Sequence, residues 1–274
     1  MTIPSRLRPL DNFDAGGITG LFTDIDDTLT RDGRLPAAVY VMLERLANAG
    51  IAIVPVTGRS AGWAHLILHH WPVEAVIAES GGIALYRDDR GHPAWLWHDD
   101  PARVADDRRR IAALADTILS AIPKLKLAND NAFRLVDFAI DHCETLDSPA
   151  STAEIARAIT MAKAAGFEAR ASSVHINLWH GDFDKAPMTL RYLAEIRGEA
   201  PEESLRRWAF VGDAPNDESM FAAFPNAIAV ANLLPMRDRL VTLPAFVTQA
   251  SHGEGFIELA THLLDAGRNR MARA

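Results

Sequence analysis

A run of apolar, β-prone residues from Ile18 to Ile25 leads directly into three aspartates within four positions, Asp24, Asp26 and Asp27, followed by Thr28. Short runs of this kind read as buried strands. Polar groups therefore crowd the end of a buried strand. One aspartate there would serve as a helix cap or a solvated turn; three in four positions are poorly explained that way.

The pattern that follows sets the architecture. Pro36 opens a predicted helix whose Val39, Leu43 and Leu46 share a face, and Gly50 stands where a C-cap belongs. Ile51 to Val56 reads as a second buried strand ending in Thr57-Gly58-Arg59-Ser60. A helix through Leu68, the strand Ala75 to Ala78 and the turn Ser80-Gly81-Gly82 come next. Strands alternating with helices predict an α/β, doubly wound parallel (Rossmann-like) sheet, with ligands at the carboxyl ends of its strands.

From about Arg87 the grammar becomes α+β. Trp95 to Trp97 is strand-like, Pro101 to Ala121 reads as a charged helix, and Phe133 to Ile140 alternates like a half-exposed strand. A helix from Ser151 to Ala165 and strands at Phe167 to Ser172 and Val174 to Trp179 complete an insertion. After Lys185 the α/β rhythm resumes, with strands at Trp208 to Val211 and Ala227 to Val230 around the loop Gly212 to Asp217. The expected division is a core of 1–86 and 180–274 with an inserted α+β cap of 87–179. The tail after Leu264 is expected to fray.

Composition narrows the function. Thirty-six acidic residues against 28 basic ones give a net charge of −8, which leaves no broad basic field for a nucleic-acid backbone. Cys143 is the only cysteine, so neither an internal disulfide nor a cysteine-based zinc cluster can form. Residues 1–14 lack the apolar core of a secretory signal, and no apolar run is long enough to cross a bilayer. The expectation is a cytoplasmic protein, monomer or homodimer, whose partner is a small molecule and neither nucleic acid nor membrane.

Side chains alternate along a strand end, so Asp24 and Asp26 can share one site. Paired carboxylates invite a cation, and magnesium favours hard oxygen ligands from carboxylates, carbonyls and substrate phosphates. The loop Gly212-Asp213-Ala214-Pro215-Asn216-Asp217 offers further acids.

Taken in order, Asp24-x-Asp26-x-Thr28, Thr57, Lys185 and Gly212-Asp213-x-x-Asn216-Asp217 resemble the four motifs of the haloacid dehalogenase superfamily. The resemblance implies a phosphatase in which Asp24 is the nucleophile and Asp26 the general acid and base. It also implies that Thr57 and Lys185 hold the phosphoryl group, with Asn216 a further substrate contact, and that Mg²⁺ is held by Asp24, Asp26 through its carbonyl, Asp213 and Asp217, Asp217 and Asn216 ligating through water or orienting Lys185. Gly58, Arg59 and Thr28 are candidate substrate contacts. The long insertion between Thr57 and Lys185 resembles the subfamily of sugar phosphatases, sucrose and mannosylglycerate phosphate phosphatases and phosphomannomutases. Many members carry glycine where this chain has Asp27, which is expected to point away from the site or to pair with a base.

In the cap, His175, Asn177 and Trp179 share one strand face and are the candidates for contacting substrate, while Val174, Ile176 and Leu178 share the other. A mutase would need cap arginines aimed at the cleft, for which Arg134 and Arg170 are the strand candidates. A non-catalytic phosphate-binding module is disfavoured because every catalytic position is filled. His65 and His69 have helical spacing, yet they lack the glutamate of a zinc-protease motif and read as a solvated face.

Overall fold

The computed structural model describes residues 7–172 and 174–271. Thirteen strands occur among these residues. In chain order they are β1 (Arg8–Pro9), β2 (Gly20–Thr23), β3 (Ala52–Pro55), β4 (Ala75–Ala78), β5 (Ile83–Arg87), β6 (Pro93–Trp97), β7 (Lys126–Leu127), β8 (Phe138–Asp141), β9 (Glu168–Ala171), β10 (His175–Trp179), β11 (Trp208–Gly212), β12 (Ala227–Ala229) and β13 (Phe246–Val247). The α-helices are α1 (Ala37–Asn48), α2 (Ala61–His70), α3 (Pro101–Ala121), α4 (Thr152–Ala164), α5 (Lys185–Arg191), α6 (Pro201–Arg207), α7 (Glu218–Ala223) and α8 (His252–Met271).

The central sheet has the order β1-β13-β12-β11-β2-β3, with every pair parallel. Successive residues of each strand supply opposite faces. Leu21, Ile53, Val211 and Ile228 pack with the apolar sides of α1, α2 and α8, while Phe22, Val54, Phe210 and Ala229 pack with α5 and α7. Both faces are thus covered, which is why these strands read as continuous apolar runs.

Beyond β3, the parallel bridge Val56↔Ile77 leads to the antiparallel trio β4-β5-β6. Pro93–Trp97, placed with the insertion on sequence grounds, pairs with β5 and so extends this core-side sheet.

The insertion folds around a second core. Its antiparallel sheet runs β7-β8-β10-β9. Ile140, Ile176, Leu178 and Ala169 form one cluster with Ile111, Leu114 and Ile118 of α3 and Ala158 and Ala162 of α4. Helix α4 starts with a full capping box between Ser151 and Glu154.

Two local expectations fail for identifiable reasons. The predicted strand from Phe133 begins only at Phe138, because the backbone N–H groups of Leu135, Val136 and Asp137 are taken by the Glu79 carboxylate instead of a ladder partner. Residues beyond Leu264 continue α8 to Met271 instead of fraying, with Leu263 and Leu264 packed on the core; the last three residues lie outside the described range. Strand β10 is buried on both faces, with His175 at 2% and Asn177 at 3% exposure. No helix among the described residues is long and apolar enough to cross a membrane.

Candidate active site

Parallel strands bring their carboxyl ends to one edge of the sheet, and the predicted motifs meet there. Asp24 follows β2, and its backbone N–H donates to the Val211 carbonyl of β11 at 2.9 Å. Asp213 follows β11, and Thr57 lies just beyond β3. Lys185 is the first residue of α5, whose N-terminus is capped by the Asp184 carboxylate. The turn at Gly81 makes this placement possible. Its φ of +96° suits glycine, and a Cβ there would lie 2.1 Å from the Asp184 carbonyl oxygen.

Lys185, 1% exposed, donates from Nζ to Asp24 Oδ1 at 2.7 Å and to Asp217 Oδ1 at 2.6 Å. Asp217 Oδ2 accepts the Asp213 backbone N–H at 3.0 Å. Gly212 leaves room for that carboxylate, since a Cβ would come within 2.4 Å of it. Carboxylate oxygens of Asp24, Asp213 and Asp217 all lie within 4.8 Å of one another, and all three residues are buried.

Three buried acids against one lysine leave a surplus of negative charge. Burial pushes the Asp24 carboxyl up to about 8; Lys185 opposes the shift, and Asp217 and Asp26 add to it. Asp213 is raised well above the usual carboxylate range by burial and by its acidic neighbours, Asp24 first. Lys185 stays protonated because its two carboxylate partners outweigh its burial. Asn216 Oδ1 is buried with no hydrogen-bond partner. Hard oxygens, surplus negative charge and an unsatisfied amide oxygen together fit a small divalent cation.

The Asp26 carboxylate stands outside this cluster. Arg59 grips it in a fork, with Nε to Oδ2 at 2.9 Å and Nη2 to Oδ1 at 2.8 Å. The other arm of the guanidinium, Nη1, donates to Glu144 Oε1 of the inserted unit at 2.9 Å, and Glu144 Oε2 lies 2.9 Å from His175 Nε2. The His175 hydrogen bond, helped by Arg59, depresses the Glu144 carboxyl to about 2.

Further contacts join the insertion to the core. The Gly58 carbonyl accepts from Arg134 Nη1 at 2.9 Å and from Asn177 Nδ2 at 3.2 Å. Asn177 also donates to Asp137 Oδ2 at 2.7 Å. The cavity between Asp24, Asp26, Arg59, His175, Asp213 and Asn216 is about 10 Å³, roughly one water molecule. The insertion is closed over the site.

The remaining candidates take supporting positions. Thr28 Oγ1 donates to Asp213 Oδ1 at 3.3 Å, and Thr57 Oγ1 accepts the Arg59 backbone N–H at 3.0 Å. Trp179 packs with Phe183 and Val136 in the core cluster and does not line the cavity. Arg134 is bound to Asp130 and Asp137, and Arg170 to Asp184, so each has an acidic partner inside the chain. Asp27 adopts φ +60°, and its carbonyl accepts from Asn232 Nδ2 at 3.1 Å, with His252 Nδ1 3.0 Å away. Its carboxylate lies 3.9 Å from His252 Nδ1.

Several residues of the site were missed from sequence. Asn232 holds Asp213 Oδ2 at 3.0 Å; a polar residue just beyond the β12 strand end was the available signal. Glu144 and Glu79 carried none, because each acts on groups distant in the chain. Glu79 is fully buried, and burial together with Asp137 pushes its carboxyl up to about 7, although backbone donors oppose the shift.

A phosphoglycolate phosphatase of Haloarcula marismortui is 27% identical to this chain over 250 residues, spanning 87% of this chain and 94% of that protein. The sucrose-phosphatase of Synechocystis, solved with sucrose and phosphate, aligns with a TM-score of 0.63 at 19% identity, covering 90% of this chain and 98% of that one. A haloacid dehalogenase-like hydrolase from B. subtilis aligns with a TM-score of 0.59 at 15% identity, covering 90% and 100%. No family model matches the chain. With an acidic site at the ends of a parallel sheet and an antiparallel unit inserted ahead of Lys185, the chain has the fold of these proteins.

Proposed function

We propose that this protein is a magnesium-dependent phosphomonoesterase acting on a small phosphorylated metabolite, a sugar phosphate or a related phosphorylated polyol or acid. The observation that carries the reading is the buried Asp24–Lys185–Asp217 arrangement with Asp213 beside it, at the end of the strand that also presents Asp26. The names of the relatives, a phosphoglycolate phosphatase and a sucrose-phosphatase, agree with that chemistry.

In the proposed reaction an Asp24 carboxylate oxygen attacks phosphorus while the ester P–O bond breaks, giving an aspartyl phosphate. Asp26 delivers a proton to the departing alcohol oxygen and then takes one from water. That water attacks phosphorus, releases inorganic phosphate and restores Asp24. Two easier displacements replace one difficult one. Lys185 and the Thr57 hydroxyl would stabilise the phosphoryl oxygens, where catalysis consists mainly of positioning and electrostatics. Asp24, Asp213 and the Asp26 carbonyl would hold Mg²⁺, with Asp217 and Asn216 supporting them. The bound cation supplies charge neutralisation that lets acids and phosphate share a buried site.

Residues 87–179 act in this reading as the cap that excludes water and selects the leaving group. A phosphomutase would require cap arginines free to hold a second phosphate, and the acidic partners of Arg134 and Arg170 favour the hydrolase instead. The absence of a membrane-crossing helix among the described residues is compatible with a cytoplasmic setting.

The test is a hydrolysis screen of metabolite phosphate esters with magnesium present, followed by chelation. Release of phosphate that stops on chelation and returns with magnesium is expected. Full activity after rigorous chelation, or no hydrolysis of any ester, contradicts the proposal.

A further inference from the structure

Arg59 and His175 approach the cavity from opposite sides, the first from the core and the second from the cap, and both are nearly inaccessible at 7% and 2% exposure. Both donate to a single carboxylate, one to each oxygen of Glu144. A guanidinium arm and an imidazole on the two oxygens of one carboxyl group make a two-pronged clamp for a carboxylate. The clamp adjoins the catalytic acids, because the other edge of the same guanidinium holds Asp26.

Glu144 is well placed to leave. It sits on the irregular segment between β8 and α4, and its side chain is 35% exposed. The backbone beside it is pinned separately. The Asp141 carboxylate accepts the N–H groups of Cys143, Glu144 and Thr145 at 2.9, 2.7 and 2.9 Å. The side chain can therefore swing to solvent without unravelling the turn. Some such movement is required, since about 10 Å³ of free space cannot admit a phosphoryl group.

The geometry points to a leaving-group subsite in which a substrate carboxylate replaces Glu144 between Arg59 and His175, making the preferred substrates phosphate esters of short hydroxy acids. This inference rests on the phosphatase reading above and selects one class within it. In the empty enzyme Glu144 bridges core to cap and keeps the clamp satisfied. In the loaded enzyme the substrate's own carboxylate makes that bridge, so cap closure itself depends on the second anionic group. A neutral leaving group leaves Glu144 in competition for the same donors and gains nothing from closure.

The experiment compares the phosphate ester of glycolic acid with that of ethylene glycol, which replaces the carboxylate with a hydroxymethyl group, and uses para-nitrophenyl phosphate as a general reporter. Wild-type enzyme should favour the acid by roughly tenfold to a hundredfold in kcat/KM, the range set by one or two charge-assisted hydrogen bonds. Glu144→Gln should lower KM for the acid by more than it lowers KM for the neutral ester. His175→Leu should collapse the preference. Should His175→Leu misfold, free glycolate offers a check on the wild-type enzyme: it should inhibit para-nitrophenyl phosphate hydrolysis competitively, and ethylene glycol should not. Equal efficiency on the two esters, with para-nitrophenyl phosphate still hydrolysed, overturns the subsite and leaves the phosphatase reading standing. Failure to hydrolyse any ester overturns both.

Discussion

On the core side, the polar groups expected to act on the phosphoryl group stand at the carboxyl end of a parallel strand or at the first residue of a helix. Asp24, Thr57, Asp213 and Lys185 all do. On the cap side the groups over or beside the same cavity owe their places to partners far away in the chain, as His175 does to Glu144, 31 residues away, and Asn177 to Gly58, 119 residues away. A parallel sheet gathers the ends of its strands by construction, so the core site follows from local sequence. The cap site exists only once a second, separately packed unit docks, and docking is settled by long-range polar contacts.

The difference should appear most strongly in variants of the core. Asp24→Asn should lower kcat on the order of 10⁴-fold or more on every ester, the scale of losing a covalent nucleophile. Because it removes one of three mutually repelling acids, the thermal midpoint should hold or rise. Substantial turnover after removal of contaminating phosphatase would break the assignment. Lys185→Met comes next. Its proposed partner is the phosphoryl group common to all substrates, so efficiency on para-nitrophenyl phosphate and on a larger metabolite ester should fall alike, by roughly 10²–10³-fold. Unequal losses would place Lys185 in leaving-group recognition, which this account assigns to the cap.

Much of the core half was legible because chemistry and secondary structure coincide there. Asp24 lies where an apolar run ends, Thr57 ends the next one, and Asp213 and Asp217 flank a turn after a third. The cap was legible as a unit but not as a surface. Alternation correctly separated His175 and Asn177 from Ile176 and Leu178, yet it could not reveal that both faces of β10 are buried, one under α3 and α4 and the other against the Gly58 loop. Trp179 shares the alternation of His175 and still belongs to an apolar cluster with Phe183. Nothing near Glu79 announces that its carboxylate will take four backbone N–H groups from Ala61 and from Leu135 to Asp137. Such contacts are tertiary in origin and leave no periodicity.

Stability sharpens the same contrast. Arg134→Met should cost about 3–5 kcal/mol, because Asp137, whose side chain is fully buried, and Asp130 lose their counter-charge. Arg109→Met removes an exposed pair with Asp106 and should cost under about 1 kcal/mol. Similar thermal midpoints for the two variants would mean that the polar seam between cap and core carries no special weight.

The smallest effect concerns Glu144. Its carboxyl is depressed from 4.5 in the unfolded chain to about 2 by His175 and Arg59. A depressed acid stabilises the fold above its unfolded value and loses that contribution as pH falls through its folded one. The gap in thermal midpoint between wild type and Glu144→Gln should therefore hold above pH 4.5 and close as pH approaches about 2. Partial exposure keeps the contribution below about 1 kcal/mol. A gap unchanged across that range would show that the bridge does not depend on charge.

The central claim is that Asp24 itself accepts the phosphoryl group. Rapid acid quenching of the enzyme during turnover with magnesium, followed by peptide mass analysis, tests it directly. The account predicts a single added phosphoryl group on Asp24, absent from Asp24→Asn and lost when the quenched enzyme is treated with hydroxylamine, as an acyl phosphate must be. A phosphoryl group on any other residue, or steady turnover with inversion of configuration at phosphorus, would contradict it.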